Sequence, residues 1–123
     1  MSLDWSCGGL AEGLACYRNQ QFFEAHEYWE DVWNQLQDPE KSFLQGLIQV
    51  TVAMHHVQRA NRAGALSLLQ RALRRFERCP SSFGGIDVAH LTAEVRAWLA
   101  ALEHAAASLP SFPAIDLVVR EPG

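Results

Sequence analysis

An all-α fold is predicted for this chain by three observations. Apolar residues return every three to four positions over long stretches, with no sustained alternation of period two. Each stretch is bounded by residues that start or stop helices. The 123 residues are 49% hydrophobic and 20% charged, which is enough for one buried core but leaves little room for a second domain. The expected architecture is a compact, single-domain array of about five helices over residues 1–123. Its third helix, about 39–60, is central, and residues 110–123 form an extended tail.

The first helix is expected from about Asp4 to Tyr17, with Leu10, Leu14 and Tyr17 on one face. Gly8, Gly9 and Gly13 each weaken it by roughly 1 kcal/mol. After a turn at Arg18-Asn19-Gln20, the stretch FFEAHEYWEDVWNQL places Phe22, Ala25, Trp29, Trp33 and Leu36 on one face of a second helix. Glu24, Glu27, Asp31 and Gln35 share the opposite face. Asp38-Pro39-Glu40 joins an N-cap acceptor, a first-turn proline and a carboxylate favoured by the helix dipole, so a third helix starts there. From Ser42 to Gln58 there is no Asp, Glu, Lys or Arg. Phe43, Leu44, Leu47, Ile48, Val50, Val52 and Met54 run round the axis, as in a helix with neighbours on most sides.

Asn61-Arg62-Ala63-Gly64 interrupts the pattern. In the fourth helix that follows, Leu66, Leu69, Leu73 and Phe76 lie opposite Arg71, Arg74, Arg75 and Arg78. The run from Cys79 to Gly85 reads as a loop. Asp87 then caps a fifth helix that carries Leu91, Val95, Trp98, Leu99 and Leu102 to about Ser108. The apolar patch Ile115 to Val119 is expected to lie extended against the bundle or to pair with another chain. Residues 17–25 and 59–65 both read as a helix end, a polar Asn turn and a small-residue helix start, the pattern of helical-hairpin repeats.

Several function classes are disfavoured at this level. A formal charge of −4 and a pI near 5.7 argue against a general nucleic-acid binder, and no apolar run is long enough to span a bilayer. Cys7, Cys16 and Cys79 have no ligand-type spacing, and MSLDWSCGG has neither a basic n-region nor a long apolar h-region, so a cytoplasmic location is expected. No glycine-rich phosphate loop follows a strand, and no nucleophile elbow is present.

Two constellations can carry chemistry. On the second helix, His26 and Glu30 are four apart and stack on one side. His26 lies about 40° and Glu30 about 80° from the apolar stripe, whereas Glu27 projects to solvent. On the third helix, Gln45, Gln49 and His56 form a polar stripe. Counting from the Asp38 turn puts Gln49 level with His26 and Glu30 on an antiparallel neighbour, with His55 or His56 closing the group. His26, Glu27, Glu30, Gln49, His55 and His56 are therefore the candidate ligand-binding cluster. His26, Glu30 and His56 are the candidates for holding a divalent metal such as Zn²⁺ or Fe²⁺. The spacing matches neither the helical di-iron pattern nor the two-histidine zinc-protease motif. The other reading is a polar core network whose members satisfy one another.

The second constellation is charge asymmetry. Arg59 to Arg78 holds six cations and one anion, a balance of +5 that leaves −9 for the rest of the chain. The row Arg71, Arg74, Arg75 and Arg78 can receive phosphate, RNA or an acidic partner, because guanidinium forks match oxyanions. Alternatively it is a solvated face set against the acidic side of the second helix, within the molecule or across a dimer. Nucleic acid is the less favoured partner; the sequence does not name the partner, and a protein or a second copy of the chain are the open alternatives.

FFEAHEYWEDVW, then FLQGLIQVTVAMHH, then NRAGALSLLQRAL resemble the domain-of-unknown-function 309 family of small all-helical proteins, over roughly Leu10 to Phe76. The family pattern falls on Phe23, Ala25, His26, Glu27, Glu30, Trp33, Gly46, Leu47, Ile48, Gln49, His56, Asn61, Gly64 and Ala65. The resemblance implies a helical array with a polar group centred on the histidine and glutamates of the second helix, Glu27 among them, and no particular reaction. Two functional readings follow. One is a small-ligand or metal site in the histidine cluster. The other is a non-enzymatic helical-hairpin module that binds a partner, with the cluster purely structural.

Overall fold

In the computed structural model, which describes residues 3–104 and 108–118, the first helix begins later than its apolar pattern suggests, with α1 spanning Gly8–Arg18. The cause is local. The Asp4 carboxylate accepts from the Ser6 amide at 2.9 Å, Cys7 is extended, and Gly8 turns the chain with φ +67°. The residues before α1 form an arm that buries Leu3 and Trp5 in the core.

Helix α2, Phe22–Trp33, buries Phe22, Ala25 and Trp29. It stops before Leu36, which is buried from the following turn. Helix α3, Glu40–Gln58, has Pro39 at its N-cap position, and the Asp38 carboxylate accepts from the Ser42 amide at 3.0 Å. Phe43, Leu44, Leu47, Val50, Ala53 and Met54 are all buried. This helix is central because α2 and α4 pack on it from different sides, while α1 packs on α2 and α5 on α4. The Asn61 side chain caps α4, Arg62–Phe76, by accepting from the Gly64 amide at 3.1 Å.

The two interhelical turns expected to be alike are alike. In each, a non-glycine residue takes the left-handed conformation just before the next N-cap: Gln20 at φ 61° before Gln21, and Ala60 at φ 56° before Asn61. The hydrogen bonds correspond, from Gln21 N to the Cys16 carbonyl and from Asn61 N to the His56 carbonyl, both at 2.8 Å. The turns are also neighbours, since Gln58 Nε2 donates to the Gln20 carbonyl at 3.1 Å. α1–α2 and α3–α4 are thus two helical hairpins with the same type of link.

The run from Cys79 to Gly85 is not all loop. β1, Ser82–Phe83, pairs antiparallel with β2, Ile86–Asp87, across Gly84 and Gly85, both at positive φ. A Gly-Gly step between two short runs is a type I′ hairpin signal that a loop reading passes over. Asp87 caps α5, Val88–Glu103, by accepting from the His90 amide at 3.0 Å. The helix ends at Glu103 rather than near Ser108; residues 105–107 lie outside the described ones.

The described part of the tail lies against its own bundle. Tyr17 donates its buried hydroxyl to the Pro113 carbonyl, Trp98 Nε1 donates to the Ser111 carbonyl at 2.8 Å, and Ile86 bridges to Leu117. Of the apolar patch, Ile115 is buried, Leu117 and Val118 are exposed, and Val119 is outside the described residues.

His90 clamps this tail from α5, with Nδ1 2.7 Å from Asp116 and Nε2 3.2 Å from Glu94, which also accepts from the Ala114 amide at 3.2 Å. The hydrogen bond to Asp116, then the charge of Glu94, with Asp87 also near, holds the imidazole above its ordinary pKa against a smaller lowering by desolvation. A raised folded-state value means that the clamp contributes fully below the unfolded value near 6.5 and fades as pH rises through the higher folded one. The melting temperature should therefore fall as pH is raised from 6 through 8, and His90→Gln should flatten that part of the profile. An unchanged slope in the variant would remove His90 as its source.

Candidate functional site

The histidine cluster divides in the structure. His26 and Glu30 do meet, with Nε2 3.3 Å from the carboxylate, and His26 Nδ1 donates to the Phe23 carbonyl at 2.8 Å. His55 joins them from α3 across the Phe23 ring, whose centroid is 5.6 Å from the His55 ring and 5.2 Å from that of His26. Phe22, Phe23, His26, Val52 and His55 line a mainly apolar groove of about 220 Å³, with Phe23 49% exposed. Glu30 and Glu27 are both exposed, so no neighbouring helix covers Glu27.

Gln49 does not belong to this group. It sits at the expected height on α3 but faces α4, where its Oε1 accepts from Arg75 Nε at 3.2 Å. His56 also points elsewhere, accepting at Nδ1 from the Asn61 side-chain amide at 3.1 Å. Height along a helix follows from residue counting. Azimuth does not, when α3 has neighbours on more than one side. The metal candidates His26, Glu30 and His56 therefore do not converge, and among the described residues no group of three His, Cys, Asp or Glu could hold a metal ion. A core network of His26, Glu30 and Gln49 is overturned by the same placement.

The arginine row makes the second groove. Arg71, Arg74, Arg75 and Arg78 line a space of about 210 Å³ with Gln49 at its floor. Arg75 is held from both ends, donating from Nε to Gln49 and from Nη1 to Ser42 Oγ at 2.8 Å. Both acceptors are neutral. Among the described residues no carboxylate lies within 4.0 Å of any of the four guanidinium groups; the adjacent Glu77 pairs with Arg96 of α5 at 3.2 Å. The expected contact with the acidic side of α2 is absent among these intramolecular pairs.

Beyond Arg75 a second depression of about 290 Å³ continues the groove, lined by Trp33, Asp38, Lys41, Ser42, Gln45 and Arg75. Lys41 Nζ lies 4.2 Å from the Trp33 ring centroid. Ser42 is the residue that sequence reasoning missed. Its signal was present, because Ser42, Gln45 and Gln49 follow i, i+3 and i+7 on an otherwise apolar helix.

Four other family-pattern positions serve packing. Ala25 and Ala65 are fully buried, Gly46 lies against the Phe76 ring, and Gly64 leaves space for Asn61 and His56 at the start of α4. The cysteines are not activated nucleophiles: burial pushes the Cys16 and Cys79 thiols up, and hydrogen bonding to Asp4 does so for Cys7. Among the described residues no helix is long and apolar enough to cross a membrane.

Comparison with known proteins agrees with the motif resemblance. An uncharacterised protein of Aquifex aeolicus (strain VF5) is 31% identical over 91 residues, 73% of this chain and 26% of that protein. The uncharacterised protein YpuF of Bacillus subtilis (strain 168) is 36% identical over 61 residues, 47% of this chain and 34% of YpuF. The chain thus spans about a quarter to a third of the length of these relatives. The family described as a domain of unknown function (DUF309) matches residues 10–68, covering both hairpins up to the middle of α4. Residues 10–68, which span most of these two hairpins, thus match the DUF309 family.

Proposed function

We propose that this domain is a protein-interaction module that docks an acidic protein segment on the α3–α4 face. The observation that carries the reading is the row of four arginines without a carboxylate partner among the described residues. Like charges at helical spacing repel one another, so an uncompensated row costs stability that an acidic partner would return as affinity. Arg75, fixed by Gln49 and Ser42, presents part of that charge already ordered, which lowers the entropy lost on binding. The paired hairpins supply a rigid backing for the face.

The test is fluorescence anisotropy with a labelled hexaglutamate peptide. Wild type should bind, with affinity falling about tenfold as salt is raised from 50 to 200 mM. The triple variant Arg71→Glu/Arg74→Glu/Arg78→Glu should lose binding while keeping its helical circular dichroism. No binding by wild type, or binding indifferent to the charge reversal, overturns the proposal. A concentration-dependent dimer abolished by the same reversal would overturn it too, by assigning the face to the acidic side of α2 in a second copy.

A further inference from the structure

We infer that Gln49 and the four arginines form a subsite for a phosphate monoester borne by a side chain of the docked segment. The inference rests on the interaction-module reading and narrows its partner.

Gln49 is the distinguishing feature. It is a polar side chain only 7% exposed. Its carboxamide oxygen is committed to Arg75 Nε, and its NH₂, which makes no hydrogen bond among the described residues, stays accessible at the groove that Gln49 lines. That accessible N–H donor sits beside four guanidinium groups, so an anion entering the groove meets a neutral donor as well as their charge. Arg75 donates only to neutral oxygens, so its charge also awaits an anion.

The composition of the site selects the anion. Four arginines and Gln49 line a space of about 210 Å³. A carboxylate offers two oxygens and one charge, whereas a phosphate monoester offers three terminal oxygens and a charge of about −1.5 to −2 at neutral pH. Forked donors match such oxygens. The space is smaller than the roughly 300–1,000 Å³ of drug-sized sites and has no aromatic lining, so it fits one headgroup without a stacked base. The adjoining depression, which shares Arg75 and is lined by Trp33, Asp38, Lys41, Ser42 and Gln45, gives residues flanking the phosphate a place to lie, and the Asp38 carboxylate disfavours an acidic residue beside it. That continuity favours a phosphorylated protein segment over a free anion.

The experiment is a ¹H–¹⁵N NMR titration of the full chain with three probes: the capped tripeptide Ala-phosphoserine-Ala, its glutamate counterpart, and inorganic phosphate. The expected result is at least tenfold tighter binding of the phosphoserine peptide than of either other probe, with the Gln49 side-chain amide among the shifted signals. Gln49→Glu has nearly the same shape but turns the donor into an acceptor, and should remove most of that preference. Gln49→Leu, which removes the donor together with the oxygen that holds Arg75 Nε and adds no charge, should also lose it and guards against misfolding of the first variant. Equal binding of the phosphoserine and glutamate peptides overturns the subsite and leaves the acidic-segment module standing. Inorganic phosphate binding as tightly as the phosphopeptide overturns the protein-borne source. Failure of hexaglutamate to bind wild type is the separate failure of the module itself.

Discussion

Trp29→Ala should remove about 3–5 kcal/mol of stability, a large part of the roughly 5–15 kcal/mol that holds a domain of this size. The indole is fully buried and joins three elements. It meets Trp5 of the arm edge-on with centroids 5.9 Å apart, stacks on Tyr17 of α1 at 6.0 Å, and donates to the Leu10 carbonyl at 3.3 Å. Its close approach to α1 depends on Gly13, where an added Cβ would lie 2.5 Å from Trp29 Cδ1 and 2.8 Å from Cε2. Gly13→Ala gains about 1 kcal/mol of helix propensity but forces a clash typical of overpacking that costs about 1–3 kcal/mol. The two changes should be coupled. In a Trp29→Ala background, Gly13→Ala should become neutral or stabilising, and urea denaturation of the four-member cycle measures this. Simple additivity would show that close packing of the indole is not what requires glycine at residue 13.

Gly46→Val should be the second severe change, costing about 2–3 kcal/mol through overpacking. A Cβ at Gly46 would come within 2.7 Å of Phe76 Cε1 and 3.1 Å of Cζ. The ring has no easy retreat, because Phe76 packs against Phe43, and Phe43 in turn against Phe83, with centroids 6.0 and 5.0 Å apart. The melting temperature should fall by something on the order of 10 °C. Gly46→Ala should be milder, since its propensity gain of about 1 kcal/mol opposes the clash. A melting temperature unchanged in the valine variant would mean that α3 and α4 separate without penalty. Since Phe76 follows Arg75 directly, such a shift would also displace the arginine row.

These two glycines mark where sequence reading stops. Helix propensity assigns Gly13 only a backbone-entropy cost, as a weakness of the first helix. The structure gives it a packing role that no helical pattern contains, because the pattern does not say how near a neighbouring helix comes. What is legible is what depends on local chemistry: the order of the helices, the cap at Asp87, the resemblance between the two turns, and the central place of α3. The boundaries shifted where a short-range hydrogen bond competed with the apolar pattern, as at Asp4 and Ser6. The β1–β2 hairpin was lost because strands of two residues carry no periodicity.

The candidate site was half legible for a related reason. His26 and Glu30 lie on one helix, so i, i+4 geometry brings them together whatever surrounds them. Gln49 needed the direction of its side chain round α3, and a cylinder apolar on nearly every side does not distinguish its α2 face from its α4 face. A buried polar residue on such a helix can be located in height and still be assigned to the wrong neighbour.

The Gly84–Gly85 turn has a consequence for how the molecule opens. Trp5 Nε1 donates to the Gly84 carbonyl at 2.7 Å, and the Val118 amide donates to the Gly85 carbonyl at 2.8 Å. The arm that leads into the first hairpin and the tail that follows the last helix are thus tethered to adjacent residues of one reverse turn. Opening of that turn would loosen both segments at once at the turn itself, which couples their local exchange and sets it apart from that of the α3 core.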